Sequence, residues 1–377
     1  MRQETRRAAM PETASARGIS LRFAARGGVL QQFSVADDGA TIAPLHQAPW
    51  TSADCPVDAP RHQTWLQGDF LAAPMGPGPH GLHGLTANGD WRVTPSGPGM
   101  IRAVLDGEVQ GATVVKELSV SDDHPFVYQR HLFIGGTGAL PVSNHAMVSV
   151  PNGAKLSFSR KRWWETLPEP LETTQGRSRL AYPRRSEDAA EFPGADGTPV
   201  NLHRYPWGDR HEDFVAGVED PGSALGWTAV VRPSEGDLFL SLKNPAALPM
   251  TMLWHSNGGR DYAPWNGRHL GCLGVEEGAA LPVLGLSRRE TPDPLTAAGQ
   301  PALLTLDPTG TVEVRHILGA IRWPSGQSVA GVMLEGDILT VTGDWGAERK
   351  LPIRGGWLRS GGGRPVVAAR PAPDWDL

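Results

Sequence analysis

Residues 83–91 read HGLTANGDW and are the most informative stretch of the chain. They bring His83, Asn88 and Trp91 close together, with Gly84 and Gly89 between them. An imidazole can donate or accept a hydrogen bond, and an indole can cover an apolar surface while its N–H donates. The stretch therefore predicts a loop that presents hydrogen-bonding groups beside a flat aromatic ring.

Two further motifs with ionisable side chains follow along the chain. His145 lies in the segment PVSNHAM, residues 141–147, and Glu276 lies in VEEG, residues 275–278, directly after a run that is typical of a buried strand. Successive side chains of a strand point to opposite faces, so only one of Glu276 and Glu277 is expected to face a site. Glu276 is preferred, and Glu277 remains the alternative.

In these three motifs the chain resembles the galactose mutarotase-like superfamily, which contains aldose 1-epimerases and hexose mutarotases. The family loop reads histidine-glycine-phenylalanine-alanine-arginine-asparagine-x-x-tryptophan, and this chain has its histidine, glycine, asparagine and tryptophan, with Ala87 in place of the arginine. The family's strand tyrosine is replaced by Met147 and the proline after its glutamate by Glu277. The resemblance implies an all-β fold, a large antiparallel supersandwich with few short helices.

The resemblance also implies roles for individual residues. Glu276 would be the catalytic base, His145 the acid that protonates the ring oxygen, and His83 an orienting hydrogen bonder at the C1 end of a sugar. Trp91 and Asn88 would contact the substrate. His80, in the same PHGLHG run, stays open as a replacement for His83, and Gln67 stands where relatives carry a substrate-binding arginine. Asp209 or Asp213 would be the counterpart of a further substrate-steadying aspartate.

A dense polar and aromatic run, WHSNGGRDYAPWNGR, covers residues 254–268 ahead of Glu276. Sugar sites combine hydrogen-bonding groups with aromatic faces, and this run offers both on a glycine-rich loop. Trp254, Arg260, Asp261 and Trp265 are therefore candidate substrate-binding residues. Either Arg260 or Arg268 could contact a carboxylate or phosphate, or each could form a surface ion pair.

The rest of the chain predicts an all-β protein independently of the motifs. It contains 46 glycines and 34 prolines among 377 residues, and both residue types end helices and supply turns. Short segments with strand character recur between turns: 114–120, 126–133, 227–231, 238–242, 251–254, 270–275, 311–316 and 338–341. A short run after Pro294, residues 295–298, is the best helix candidate. Many short strands at regular spacing favour a sandwich.

The pattern also divides the chain into segments. Residues 1–18 are polar and arginine-rich and are predicted to be a disordered tail. Residues 19–360 are predicted to form a single β-sandwich domain, in which 160–222 is an irregular insertion over one end and 311–360 adds strands at one edge. Residues 361–377 are predicted to be an extended tail.

Composition excludes several other classes of protein. The net charge of −5 and the pI of about 6.2 provide no basic surface for nucleic acid. The chain contains two cysteines, Cys55 and Cys272, and no apolar leader or apolar run of membrane-spanning length. These features predict a cytoplasmic protein with no membrane partner. No histidines are paired at a metal-binding spacing, so neither a metal nor an organic cofactor is expected.

The expected partner is a small sugar, and the expected reaction is anomer interconversion. A base removes the proton of the C1 hydroxyl, an acid protonates the ring oxygen, and the ring closes again after rotation. The alternatives are a non-catalytic carbohydrate-binding protein on the same fold and, less favoured because no secretion signal is seen, a polysaccharide-acting enzyme. The sequence specifies neither the sugar nor an oligomeric state.

Overall fold

The computed structural model describes residues 12–285 and 293–359, and its regular structure is almost entirely β-strand. In chain order the strands are β1 (Glu12–Ala16), β2 (Ile19–Ala24), β3 (Val29–Asp37), β4 (Ala40–Ile42), β5 (Asp69–Ala72), β6 (Trp91–Thr94), β7 (Met100–Val109), β8 (Ala112–Ser119), β9 (Phe126–Gly135), β10 (Ala139–Leu140), β11 (Val142–Ser149), β12 (Ala154–Phe158), β13 (Lys161–Thr166), β14 (Arg185–Ser186), β15 (Arg204–Tyr205), β16 (His211–Glu219), β17 (Gly226–Arg232), β18 (Asp237–Lys243), β19 (Met250–Asn257), β20 (Cys272–Ala279), β21 (Leu304–Thr305), β22 (Thr311–Arg322), β23 (Val329–Glu335), β24 (Ile338–Gly343) and β25 (Glu348–Pro352).

Helices are few and short, as predicted. Within the described residues one α-helix, α1, spans Gly84–Asn88, and 3-10 helices span Ser52–Asp54, Arg61–Trp65, Leu281–Leu284 and Thr296–Ala298. The last of these lies in the run after Pro294 that was predicted to be helical. None of the helices in the described ranges has the length and apolar character needed to cross a membrane.

Two large antiparallel sheets form the sandwich. The eleven-stranded sheet has the order β1-β2-β3-β5-β11-β20-β19-β16-β13-β14, with β4 paired to β3, and the nine-stranded sheet has the order β15-β12-β17-β18-β22-β9-β8-β7-β6. Their facing sides share one apolar core, to which Phe33 and Val148 contribute from the first sheet and Phe239 and Leu318 from the second. The all-β sandwich prediction is confirmed.

The two other faces of the sandwich are also covered. A three-stranded sheet, β23-β24-β25, packs Leu339 and Val341 against the far side of the nine-stranded sheet. On the far side of the eleven-stranded sheet, hereafter its outer face, Phe70, Met147 and Trp254 form a second apolar cluster with side chains from loops. The candidate site lies on this outer face.

Several predicted segment boundaries are wrong. Glu12–Ala16 belongs to the predicted tail but forms β1, because its residues pair with β2 from Glu12↔Phe23 to Ala16↔Ile19. The segment that forms β22 was predicted to lie at an edge, yet β22 lies between β18 and β9 in the nine-stranded sheet. The second half of this long strand is almost entirely buried, which is consistent with a central position. The described parts of the predicted tails are residues 12–18 alone, and 361–377 lie outside the described residues.

The predicted irregular insertion, 160–222, is only partly irregular. Its two ends are β13 and β16, which pair with each other inside the eleven-stranded sheet. Lys161 at the start of β13 is buried and pairs with Glu219 at the end of β16, with 2.6 Å between Nζ and Oε1. Charged residues that pair inside a sheet interrupt the apolar alternation by which strands are recognised, which is why the sequence pattern missed both strands.

Candidate functional site

The antiparallel pairing of β11 with β20 sets His145 opposite Glu276. Directly opposed residues project from the same face of a sheet, and here that is the outer face. His145 Nε2 lies 3.1 Å from Glu276 Oε1, and both side chains are almost fully buried. The two motifs, which are far apart in sequence, therefore supply one hydrogen-bonded pair.

His83 reaches the same pair from the loop that precedes α1. Its ring centroid lies 5.2 Å from that of His145, and the ring of His62 lies 5.3 Å beyond, edge to face. Phe70 on β5 stacks on His145 at 4.5 Å and also contacts His83, with 5.6 Å between the ring centroids. The structure thus brings His83, His145 and Glu276 together, and we refer to these three residues with His62 as the histidine–glutamate cluster.

His83 holds a backbone conformation that ordinary side chains rarely adopt. Its φ is 67°, in the left-handed region, at the residue before α1. Such a conformation costs on the order of 1–3 kcal/mol and occurs often at functional sites. The strain directs the imidazole of His83 over β11, which a helical or extended backbone at this residue would not do.

Asn88 organises this loop from within. Its side-chain oxygen accepts a hydrogen bond from the backbone N–H of His62 at 2.9 Å. Its amide nitrogen donates to the carbonyl oxygens of Leu82 and Gly84 at 2.7 and 2.8 Å. Because these groups already occupy the amide, Asn88 positions His62 and the turn at His83, which differs from the substrate contact that the sequence suggested.

Burial sets the protonation of the central pair. Desolvation lowers the pKa of His145 to about 3. Desolvation also raises the pKa of Glu276 well above its ordinary value, and the neighbouring charge of Glu277 adds to the rise. Both shifts favour the uncharged forms of the two groups, a carboxylic acid that holds one proton and a neutral imidazole. Moving that proton across the 3.1 Å contact would give a carboxylate and an imidazolium.

Several polar atoms of the cluster have no hydrogen-bond partner in the described part of the chain: Nδ1 of His83, Nδ1 of His145 and Oε2 of Glu276. Buried polar atoms in native proteins are almost always paired, and exceptions concentrate at sites that bind or react. These atoms are the ones that a hydroxyl-rich ligand would satisfy.

Tryptophan side chains adjoin the cluster on the same face. Trp254 on β19 contacts the ring of His145 at 5.9 Å, and Trp265 packs 6.1 Å from Trp254. Arg260 lies over Trp265, with 4.5 Å from its guanidinium carbon to the ring, and its Nε is 2.7 Å from Glu172 Oε1. Trp254, Arg260 and Trp265 are thus beside the cluster, as the sequence suggested.

Glu212 is a second buried carboxyl on this face. It accepts hydrogen bonds from Trp254 Nε1 at 3.1 Å and from Ser256 Oγ at 2.7 Å. Desolvation raises the pKa of Glu212 to about 7, although the nearby charge of Arg260 opposes the rise. Glu212 therefore titrates in the physiological range, behind the tryptophan that contacts His145.

Trp91 is not at the site, which corrects the prediction. It is buried in the core between the two sheets, and its Nε1 donates to the carbonyl oxygen of Thr86 at 3.0 Å. Gly28 opens the slot for it, since a Cβ there would lie 2.5 Å from the indole. His80, the alternative to His83, is exposed on the surface, because the following turn, which includes Gly81 at a φ of 87°, separates it from His83.

The remaining candidates also lie away from the cluster. Asp261 is exposed and pairs with Arg177 at the surface. Gln67 is half-buried beside Gln47, and no hydrogen bond joins its amide to the cluster within the described residues. Asp213 accepts backbone hydrogen bonds from residues 179 and 180, and Asp209 accepts from Asn257, so both carboxylates hold loops.

Another group of side chains on the outer face has the chemistry of a metal site. His46, His269 and Cys272 are buried together, with their ligand atoms all within 4.8 Å of one another. Sequence reasoning missed His46, His62, His269 and Glu212, because each is isolated in its own segment. The spacing of His269 and Cys272, three residues apart, was the one signal that could have identified part of this group.

The site is closed. The exposed fraction is 8% for His83, 4% for His145 and 1% for Glu276. A surface cavity of about 500 Å³ lies elsewhere, lined by residues including His124, Arg354 and Trp357. The side chains of the histidine–glutamate cluster are therefore packed against one another with little exposure to solvent.

Comparison with known proteins identifies the fold. A candidate aldose 1-epimerase from Escherichia coli K12 has a TM-score of 0.55 over 82% of this chain and 98% of its own, at 15% identity. A galactose mutarotase related enzyme from Lactobacillus acidophilus has a TM-score of 0.52 over 82% and 97% of the two chains, at 12% identity. The chain therefore has the fold of these proteins.

No family model and no curated protein matches the sequence.

Proposed function

We propose that this chain binds a monosaccharide and interconverts its anomers by acid–base ring opening, as an aldose 1-epimerase-like enzyme. The observation that carries the proposal is the contact between Glu276 and His145, 3.1 Å long, with His83 against it and Trp254 beside it. The fold shared with aldose 1-epimerase-like proteins supports it. A cytoplasmic location belongs to the same proposal, supported by the two free cysteines, Cys55 and Cys272.

The reaction needs one base and one acid at the same time. In the ionised form of the pair, the Glu276 carboxylate takes the proton of the C1 hydroxyl and the His145 imidazolium gives its proton to the ring oxygen. The bond between C1 and the ring oxygen breaks as the C1 carbonyl forms. After rotation about the C1–C2 bond, the carbonyl is attacked from its other face, and both protons return.

The pair has the proton count that this reaction requires. One proton is shared between the two groups, so binding of a sugar needs only to favour the carboxylate–imidazolium form over the neutral one. Hydroxyl groups that hydrogen-bond to Glu276 Oε2 and His145 Nδ1 would do so, because hydrogen bonds to a charged form stabilise it. Each well-placed acid or base contributes about 10²- to 10⁴-fold in rate.

The closed cluster requires an opening step in this mechanism. His62, from the segment that covers His83, and Trp265, from the loop over Trp254, are the side chains whose displacement would admit a sugar. The apolar C–H face of the sugar would then take the place of Trp265 against the ring of Trp254.

The test is polarimetry on a panel of aldoses with wild type, Glu276→Gln and His145→Ala. We expect wild type to accelerate mutarotation of at least one aldose, and each variant to lose about 10²- to 10⁴-fold. His80→Ala is the matched control, because this histidine is exposed and lies away from the cluster, and it should keep full activity. Acceleration by neither wild type nor control would refute the enzymatic proposal.

A second function, non-catalytic carbohydrate binding, is favoured by one specific observation. Ala87 occupies the position of the family's arginine and is buried against the outer-face cluster, so a cationic sugar contact is missing there. Calorimetry distinguishes the two functions: a binder would release heat with an aldose while the polarimetric rate stays at that of buffer.

A further inference from the structure

His46, His269 and Cys272 form a compact group beside the histidine–glutamate cluster. His46 precedes β5, His269 is at the end of the loop before β20, and Cys272 is the first residue of β20. All three are buried, and their ligand atoms lie within 4.8 Å of one another. Trp254 separates the group from the cluster, because its ring contacts His145 on one side and stacks on His269, 5.6 Å away, on the other.

The two imidazoles stand at a separation that one metal ion can bridge. His46 Nε2 and His269 Nε2 are 3.1 Å apart, with the ring planes at 89°. Two nitrogens bound to Zn²⁺ at about 2.0–2.1 Å with tetrahedral geometry lie about 3.3–3.4 Å apart. The observed separation therefore differs by about 0.3 Å from that of a zinc-bound pair.

The thiol of Cys272 completes the set after a small rotation. A zinc–sulfur bond of about 2.3 Å places sulfur about 3.6 Å from each nitrogen ligand, and the ligand atoms here are within 4.8 Å. Turning the Cys272 side chain has to bring Sγ closer by about an ångström. A cysteine with two histidines favours a thiophilic ion such as Zn²⁺ over Mg²⁺ or Ca²⁺, which prefer oxygen ligands.

The surroundings of His269 match those of a metal-bound histidine. Its Nδ1 lies 2.7 Å from Ser256 Oγ, and Ser256 Oγ donates to Glu212 Oε1, also at 2.7 Å. A histidine that ligates a metal through one ring nitrogen usually gives the other to such a partner, which fixes the orientation of the ring. Here that chain leaves Nε2 of His269 directed at His46.

We propose that His46, His269 and Cys272 bind a single Zn²⁺ ion, with the fourth coordination position taken by water or a small anion. The ion links the segment around His46 to β20 and to the loop that carries Arg260 and Trp265. This site is independent of the proposed sugar chemistry, since neither His145 nor Glu276 belongs to it.

Titration of the metal-depleted, untagged full chain with Co²⁺ and then Zn²⁺ tests the site. We expect one equivalent of Co²⁺ to produce the near-ultraviolet charge-transfer absorption of a cobalt–thiolate bond, and one equivalent of Zn²⁺ to remove it. Cys272→Ala should abolish the absorption. Cys55→Ala is the matched control and should leave it unchanged, because Cys55 is in another segment and is not part of the group.

Two further variants distinguish a zinc site with three protein ligands from non-specific metal binding by the thiol of Cys272 alone. His46→Gln should reduce zinc affinity by at least 100-fold, because it removes a ligand, whereas Ser256→Ala should reduce it by about 10- to 100-fold through the orientation of His269. Folded wild type that takes up no Co²⁺, an absorption that persists in Cys272→Ala, or equal zinc affinity in wild type and His46→Gln would each overturn the proposal.

Discussion

Glu276 and Glu277 are neighbours on β20, and both are buried, yet they meet opposite surroundings on the two faces of the eleven-stranded sheet. Glu277 faces the nine-stranded sheet, where its two oxygens accept hydrogen bonds from the hydroxyls of Thr228, Ser241 and Thr251. Lys243 Nζ lies 2.5 Å from Glu277 Oε2. Glu276 faces outward, with His145 at one oxygen and no partner within the described residues at the other.

The difference shows how one strand can hold a structural and a reactive carboxyl group. A carboxylate that contacts a lysine and three hydroxyl donors has both of its oxygens paired, and these contacts hold it in one position. A carboxyl group with one histidine partner and an orphaned oxygen can exchange its proton at little structural cost. The inner face therefore pairs Glu277 with a cation, whereas the outer face leaves Glu276 with a histidine as its one partner within the described residues.

The largest expected effect is a loss of unfolding free energy in acid, which comes from the buried histidines on both faces of the eleven-stranded sheet. Burial lowers the pKa of His62 and His316 to about 4 and that of His145 to about 3. A group whose pKa is depressed in the folded state stabilises the fold above its unfolded pKa, about 6.5, and this contribution is lost as pH falls towards the folded pKa. Each such histidine gives a slope of about 1.4 kcal/mol per pH unit in the free energy of unfolding. The three together therefore contribute about 4 kcal/mol per pH unit.

Urea unfolding between pH 7.5 and 5 measures this slope, and His62→Gln should reduce it by about 1.4 kcal/mol per pH unit, the contribution of one buried histidine. A free energy of unfolding that stays constant from pH 7 to 5 would mean that these histidines are charged in the folded protein. That result would contradict the neutral outer face on which the comparison depends.

Substitution of each glutamate by glutamine should separate the two faces directly. Glu277→Gln removes one of the two carboxylates that contact Lys243, the other being Glu219, and losing a hydrogen bond to a charged group costs about 1.5–3 kcal/mol. Glu276→Gln keeps a neutral hydrogen-bonding group opposite His145 and should not lower the free energy of unfolding at pH 7. Thermal and urea unfolding of both variants provide the measurement, and equal losses would erase the distinction between the faces.

A substitution at Gly274 tests how tightly Glu276 is packed on the outer face. A Cβ at this residue would lie 2.9 Å from Trp254 Cβ and 3.1 Å from Glu276 Oε1, so only glycine leaves room for both. Gly274→Ala should cost about 1–3 kcal/mol of stability by overpacking and should lower the proposed mutarotase activity by displacing the carboxyl group. Gly97→Ala, where nothing lies within 4 Å, is the control and should change neither unfolding nor rate.

The sequence names both residues of the central pair, because strand alternation allows only one of Glu276 and Glu277 on the outer face and the resembling motifs favour Glu276 and His145. It also predicts Trp254 and Trp265, which lie in a run whose composition suits a sugar site. The sequence could name these residues because each lies in a locally periodic segment or a short motif.

The sequence cannot predict where Trp91 points, because that depends on contacts far along the chain. The indole enters the core through the slot at Gly28, which no local pattern around Trp91 indicates. The burial of Lys161 and Lys243 is unpredictable from local sequence for a related reason. Their charges are neutralised by Glu219 from another strand, at 2.6 and 3.0 Å. Long-range pairing of this kind is visible only once the sheets are assembled.

The smallest expected effect concerns the alkaline side and Glu276 alone. Its pKa is raised in the folded state, so its contribution to stability is present below the unfolded pKa of about 4.5 and is lost as pH rises through the folded pKa. Wild type should therefore lose unfolding free energy between pH 7 and 8 relative to Glu276→Gln, which has no proton to lose. Urea unfolding at both pH values gives the change in unfolding free energy for each protein. Subtracting the change in Glu276→Gln from that in wild type removes the contributions of the other titrating groups. Parallel curves would place an ionised carboxylate at Glu276 in the free protein, and the outer face would then resemble the inner one.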